Sequence, residues 1–144
     1  MRLEQIDLVC ADMDKTLAFY RLLGIVVPKK AIWRTPSGAH HAHIELPGGL
    51  SLQFNSPALA RVYDKGYRAT RRGGGNLVIG FSVSSRRAVD QAYAKLTKAG
   101  YAGMTPPWDA FWGARYAIVA DPDENHVGIM SPSDDTQRRP PPNV

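Results

Sequence analysis

From Glu4 to Cys10 the chain alternates, with Ile6, Leu8 and Cys10 on one face and Gln5, Asp7 and Val9 on the other. A period of two over this length predicts a half-buried strand. Asp12 or Asp14 is placed to cap a helix carrying Leu17, Ala18, Phe19, Tyr20, Leu22 and Leu23, and Gly24 stands where a C-terminal glycine belongs. Between residues 30 and 55, Pro36-Ser37-Gly38 and Pro47-Gly48-Gly49 interrupt short alternating runs that end in Leu50-Ser51-Leu52-Gln53-Phe54. This is hairpin punctuation. The first 55 residues therefore read β-α-β-β-β.

The same grammar returns further on. Leu77, Ile79, Phe81 and Val83 alternate as a strand, Ser84 or Ser85 precedes a helix with Val89, Ala92, Tyr93 and Leu96 on one stripe, and Gly100 follows it. A stretch rich in proline and tryptophan leads to strands at Tyr116 to Ala120 and Val127 to Met130, joined by the turn Asp121-Pro122-Asp123-Glu124-Asn125. Three landmarks keep a nearly constant offset: Gln5 to Val78 is 73 residues, Gly24 to Gly100 is 76, and Gln53 to Gly128 is 75. That spacing indicates a duplicated unit. The predicted organisation is α+β, with one domain over residues 1–133: module one at 1–55, a linker at 56–75 in which Ser56-Pro57 starts a short helix, and module two at 76–133. A disordered tail is expected at 134–144, where three consecutive prolines and no apolar periodicity occur.

Composition narrows the class. Eighteen Lys and Arg against 13 Asp and Glu leave a formal charge of +5 over 144 residues, with 44% hydrophobic residues. No apolar run approaches the roughly 20 residues of a membrane helix, and Glu4 and Asp7 break any signal-peptide pattern, so no membrane partner and a cytoplasmic location are expected. Cys10 is the only cysteine, which excludes an internal disulfide and any Cys-paired zinc motif. It falls on the core face and is not expected to act as a nucleophile. The basic excess is concentrated: Arg61, Lys65, Arg68, Arg71 and Arg72 face only Asp64 in that stretch. A charged linker between modules, rather than a nucleic-acid-binding face, accounts for it. Gly73-Gly74-Gly75 lacks the lysine and hydroxyl residue of a P-loop and reads as linker.

The opening Gln5 to Asp14 followed by Leu17-Ala18-Phe19-Tyr20 resembles the first module of the vicinal oxygen chelate superfamily, which comprises glyoxalases, bleomycin-resistance proteins and dioxygenases. The ending Trp112-Gly113-Ala114-Arg115-Tyr116, then Asp121-Pro122-Asp123-Glu124-Asn125-His126-Val127-Gly128-Ile129-Met130, resembles it too. The resemblance spans roughly residues 3 to 132. It implies two βαβββ modules whose sheets curl round a shared cleft, commonly in a homodimer. It also implies a divalent metal held at four positions, here Gln5, Gln53, Val78 and Gly128. Two of these have no donor atom and two are neutral amides, where a hard cation wants carboxylate or imidazole. No metal and no other cofactor are therefore expected.

Strand alternation lists what else faces the cleft: Gln5, Asp7, Gln53 and Asn55, then His41, His43 and Glu45 across the Pro47 hairpin, and Tyr116 and Met130 in the last hairpin. His41-Ala42-His43-Ile44-Glu45 has a spacing that suits a metal, but no fourth ligand is evident, and a polar strand face that hydrogen-bonds a ligand or solvent is the reading preferred. Trp108, Phe111 and Trp112 either stack a flat ligand or pack at a dimer interface, and Trp33 either completes the groove or is an edge residue. Asp121-Pro122-Asp123 reads as turn chemistry. The function expected is metal-independent binding of a small aromatic or anionic organic ligand, like that of antibiotic-sequestering members of the superfamily. The competing expectation is a lyase, isomerase or dioxygenase with a non-standard site; no catalytic residue is assigned.

Overall fold

The computed structural model describes residues 4–64 and 77–140; the expected glycine-rich linker lies outside the described residues. The chain divides into two compact units, Met1–Arg71 and Arg72–Val144. Each holds a four-stranded mixed sheet, and the fold is the predicted α+β duplication of βαβββ.

In the first unit β1 (Gln5–Val9) leads to α1 (Met13–Leu22), then β2 (Ile32–Arg34), β3 (His40–Leu46), β4 (Leu50–Asn55) and α2 (Pro57–Tyr63). Asp12 caps α1 by accepting the Lys15 N–H at 3.1 Å, and Gly24 ends it at φ +91°, a conformation side chains resist. Ser56 caps α2 through the Leu59 N–H, with Pro57 in the first turn. The sheet runs β1-β4-β3-β2, with β1 and β4 parallel. Its covered face carries Leu8, Ala42, Leu52 and Phe54, all nearly inaccessible to solvent. Tyr20 stands on Phe54 with ring centroids 5.1 Å apart, and Phe19 meets Tyr20 edge-on at 5.1 Å. Large side chains buried in this way contribute about 2 kcal/mol each. Cys10 is part of this core, its thiol directed at the Leu8 carbonyl.

The second unit repeats the plan with β5 (Val78–Ser82), α3 (Arg86–Lys98), β6 (Gly103–Asp109), β7 (Arg115–Ala120) and β8 (His126–Met130), in the order β5-β8-β7-β6. Ser85 caps α3, Gly100 closes it at φ +94°, and Val89 and Leu96 are fully buried beneath it beside Val119, Val127 and Ile129. The parallel pairs Asp7↔Gln53 and Gly80↔Gly128 are equivalent, at the offsets read from the sequence. Asp121 accepts the N–H groups of Asp123 and Asn125 and the Asn125 side-chain amide, so the Asp-Pro-Asp turn is structural.

Two features differ from expectation. The proline-rich stretch contains strand β6: Pro106 and Pro107 lie on an edge strand where the pairing with β7 shifts register, so their missing N–H groups cost the ladder little. The tail is not disordered as far as Pro140. Asp134 N–H donates to Gly113 O and Arg139 N–H to Phe111 O, and Asp134 caps a single turn at Asp135–Gln137. Among the described residues no helix is long and apolar enough to cross a membrane.

Ion pairs fasten α3 to the β6–β7 hairpin. Asp109 Oδ1 accepts from Arg86 at 2.6 Å and Arg115 at 2.8 Å, while Arg115 Nε reaches Asp90 at 2.7 Å. The hydrogen bond from Arg115 holds the Asp109 carboxyl below the ordinary 3.8; Arg86 adds to this, and partial desolvation opposes it. A depressed folded value means the stabilisation is complete above the unfolded value and is lost as pH falls through the folded one. In urea titrations, the stability difference between the wild type and Asp109→Asn is expected to stay constant from neutral pH down to the ordinary carboxylate range and to close below it. A difference independent of pH down to acid unfolding would contradict this clamp.

Candidate functional site

Each unit turns the face opposite its core into a recess, and alternation from the paired strands decides its lining. In the first unit the cross-strand rows are Asp7↔Gln53↔His43, then Val9↔Asn55↔His41↔Trp33, with Gln5 and Glu45 both opposite Ser51. The predicted residues Gln5, Asp7, His41, His43, Glu45, Gln53 and Asn55 therefore gather on one face, lining two adjoining hollows of about 500 and 170 Å³.

These side chains form a connected network. Asp7 accepts from Gln5 Nε2 through one oxygen and from Asn55 Nδ2 through the other, each at 2.7 Å. Gln53 Nε2 donates to Gln5 Oε1 at 3.1 Å. His41 Nδ1 lies 2.7 Å from Asn55 Oδ1, and His41 Nε2 lies 3.1 Å from His43 Nδ1. Trp33 stacks on His41 at 5.4 Å and 30°, so its place beside the groove agrees with one of its two readings. Tyr63 was not anticipated: from α2 its hydroxyl approaches Asn55 Nδ2 at 3.3 Å, a contact that only the turn at Ser56 creates.

In the second unit Val78, Gly80, Ser82, Trp112, Tyr116 and Met130 line a mainly apolar recess of about 360 Å³. Tyr116 and Met130 are cross-strand partners, as read from the sequence. Trp112 is the hub of the aromatic group, meeting Trp108, Phe111 and Tyr116 near edge-on at 5.6, 5.0 and 5.4 Å. Trp108 and Phe111 thus brace Trp112 rather than line the recess. Burial raises the Tyr116 phenol above its ordinary value, which keeps its hydroxyl protonated.

Tyr116 also covers a particular glycine. A Cβ built on Gly128 would meet the Tyr116 hydroxyl and lie 2.9 and 3.0 Å from its ring carbons. Gly80, across the parallel pair, has nothing within 4 Å of the same position.

The chain belongs to the glyoxalase/bleomycin resistance protein/dioxygenase superfamily, whose family model matches residues 2–129. Among solved structures, it is similar to a glyoxalase/bleomycin resistance protein/dioxygenase from Nocardioides, at 23% identity and TM-score 0.71, covering 94% of this chain and 85% of that one. A family enzyme from Burkholderia phytofirmans aligns at 19% identity and TM-score 0.75, covering 91% and 98%. A glyoxalase-related enzyme from Fulvimarina pelagi aligns at 20% identity and TM-score 0.73, covering 91% and 88%. At such identities the likeness establishes the fold. No curated protein matches the chain.

The metal that the family implies does not fit these residues. Gln5 and Gln53 are hydrogen-bonded to each other and, through Gln5, to Asp7; Val78 and Gly128 offer no donor; and the Tyr116 ring occupies the space over Gly128. Among the described residues no group of three or more His, Cys, Asp or Glu is placed to hold a metal, the His41, His43 and Glu45 set included.

The contact over Gly128 predicts a coupling. Gly128→Ala is expected to cost about 1–3 kcal/mol in urea unfolding, because the ring must move. On a Tyr116→Ala background the same change should cost less than about 0.5 kcal/mol. Equal costs in both backgrounds would place the ring elsewhere.

Proposed function

We propose that this protein binds a small, flat, uncharged aromatic molecule in the recess beside Gly80 and holds it without a metal, as antibiotic-sequestering members of the superfamily hold theirs. The observation that carries this reading is the covering of Gly128 by Tyr116, which turns a former ligand position into an aromatic wall. Trp112 and Tyr116 supply polarisable surface, Met130 adapts to irregular shapes, and Val78 adds apolar area. Apolar lining with a few polar groups, Ser82 and the Tyr116 hydroxyl, suits orientation of an aromatic ligand by one or two hydrogen bonds. Among the described residues no lysine or arginine lines the recess, and Arg86 and Arg115 are paired with carboxylates. Uncharged ligands are favoured over anions on that ground.

Gly80 provides the test. Nothing lies within 4 Å of a Cβ built there, so Gly80→Leu places apolar bulk at the recess from an unobstructed position. With 1-naphthol as probe in saturation-transfer NMR, the wild type should bind, and Gly80→Leu should lose at least about tenfold in affinity at an unchanged melting temperature; tenfold corresponds to about 1.4 kcal/mol. Equal binding by the two proteins would refute the site. A stoichiometric divalent ion in protein purified without chelators, with a fall in melting temperature on its removal, would refute metal independence.

A homodimer is part of the same proposal. Within its unit each sheet ends in edge strands, β1 and β2 or β5 and β6, and exposed edges are commonly covered by association. Sedimentation at micromolar concentration should give twice the 15.8 kDa chain mass, and a single monomer boundary would contradict it.

A further inference from the structure

We propose that the segment after β8 is a strap that holds Trp112 in the wall of the second unit's recess, so that its docking sets how tightly the recess binds; this deepens the aromatic-binding reading above and rests on it.

The connection between β6 and β7 is a tight turn. Ala110 N–H donates to Ala114 O at 2.8 Å and Gly113 N–H to Ala110 O at 2.9 Å, with Gly113 at φ +88°. Trp112 is the residue of this turn that lines the recess. The strap takes up the carbonyls on either side of it. Phe111 O accepts the Arg139 N–H at 2.8 Å, and Gly113 O accepts the Asp134 N–H at 3.1 Å, so Trp112 and Arg138 pair as a short antiparallel bridge. Gly113 O also accepts from Arg86 Nη1 at 3.0 Å, which ties that end of the turn to α3 as well. At Phe111 O the strap supplies the bond.

Gly113 marks the closeness of the fit independently. A Cβ built there would run into Asp134 O and lie 3.1 Å from Arg138 Cγ. With its left-handed backbone and the strap across it, this position accepts glycine and resists larger residues.

The hold is nevertheless weak. Residues 132–140 are exposed, and from Ser133 to Arg139 there is no apolar side chain to anchor them. Backbone bonds, the Asp134 cap on Thr136 and the Arg138–Asp135 pair at 2.8 Å fasten the segment. Exposed hydrogen bonds contribute little net stability, and segments fastened by them open before the core does. When the strap lifts, Trp112 loses the bonds on both its flanks that belong to the strap. A ligand stacked on Trp112 favours the docked state, and by linkage docking favours the ligand. The family model ends at residue 129, so the strap lies beyond the matched region.

Arg139→Pro in the full chain tests the proposal. Proline deletes the N–H that Phe111 O receives, and Arg138, at φ −67° and ψ 142°, already has the extended backbone that precedes a proline. Affinity for 1-naphthol should fall about three- to tenfold with the melting temperature retained. Arg139→Ala, which restores the N–H without the charge, should recover wild-type affinity. The indole N–H cross-peak of Trp112, assigned by its loss in Trp112→Phe, should shift in Arg139→Pro and return in Arg139→Ala, with or without 1-naphthol. The proposal is overturned if that cross-peak is the same in Arg139→Pro as in the wild type, if the two proteins bind 1-naphthol equally, or if Arg139→Ala behaves as Arg139→Pro does. A wild type that binds no 1-naphthol refutes the aromatic-binding reading; a shifted Trp112 cross-peak in Arg139→Pro then still upholds the strap's hold on Trp112.

Discussion

The parallel pairing of the first strand of each unit with its last is the constraint on which the rest depends. Parallel neighbours need a crossover, and α1 and α3 with the strands that follow them supply it. Once Asp7 stands beside Gln53 and Gly80 beside Gly128, the period of two decides which side chains lie under the helices and which line the recess. A slip of one residue would bury Asp7, Gln53 and Asn55 in the core and expose Leu8 and Phe54. The Tyr20–Phe54 contact and the near-complete burial of Leu8 and Leu52 forbid that slip in the first unit, as Val127 and Ile129 do in the second.

Within that common frame the two recesses have been refilled in opposite senses. Equivalent cross-strand positions hold Asn55 and His41 in one unit but Met130 and Tyr116 in the other, and Gln53 and His43 against Gly128 and Ile118. Even the edge tryptophans correspond: Trp33 lies opposite His41 as Trp108 lies opposite Tyr116. One face became a hydrogen-bonded network centred on Asp7, the other an aromatic wall centred on Trp112. Polar networks of the first kind are stable only when every member is satisfied, which is why Asn55, 2% exposed, uses both its oxygen and its nitrogen. Aromatic walls of the second kind need only shape.

Strand faces were legible in the sequence because alternation is a local signal, and the turns at Gly24, Pro47-Gly48 and Asp121 fixed the registers. The resemblance supplied the fold family on that basis. What escaped was non-local. β6 has no alternation, because an edge strand with two prolines and shifted pairing needs none. The segment after Asp134 is held by backbone bonds to Gly113 and Phe111, and such bonds leave no trace in side-chain pattern. Alternation placed Tyr116 on the recess face, but its position over Gly128 follows from the packing of Trp112 against it, so the covering could not be read in advance. The Asp7 network likewise depends on contacts across 48 residues of chain.

The side chains around the family's ligand positions oppose chelation there. Exchange of ligands alone would leave a hole over a glycine at position 128, and here that space is filled. The Tyr116 ring fills the space over Gly128, and the two amides are turned onto each other and onto Asp7. Restoring histidine or glutamate at one position would therefore meet a packed ring or break a satisfied hydrogen bond before it gained a ligand, and a single new donor cannot hold a divalent ion. Return to chelation would need several simultaneous changes, each destabilising alone. Packing and hydrogen bonding thus occupy the space around Gln5, Gln53 and Gly128.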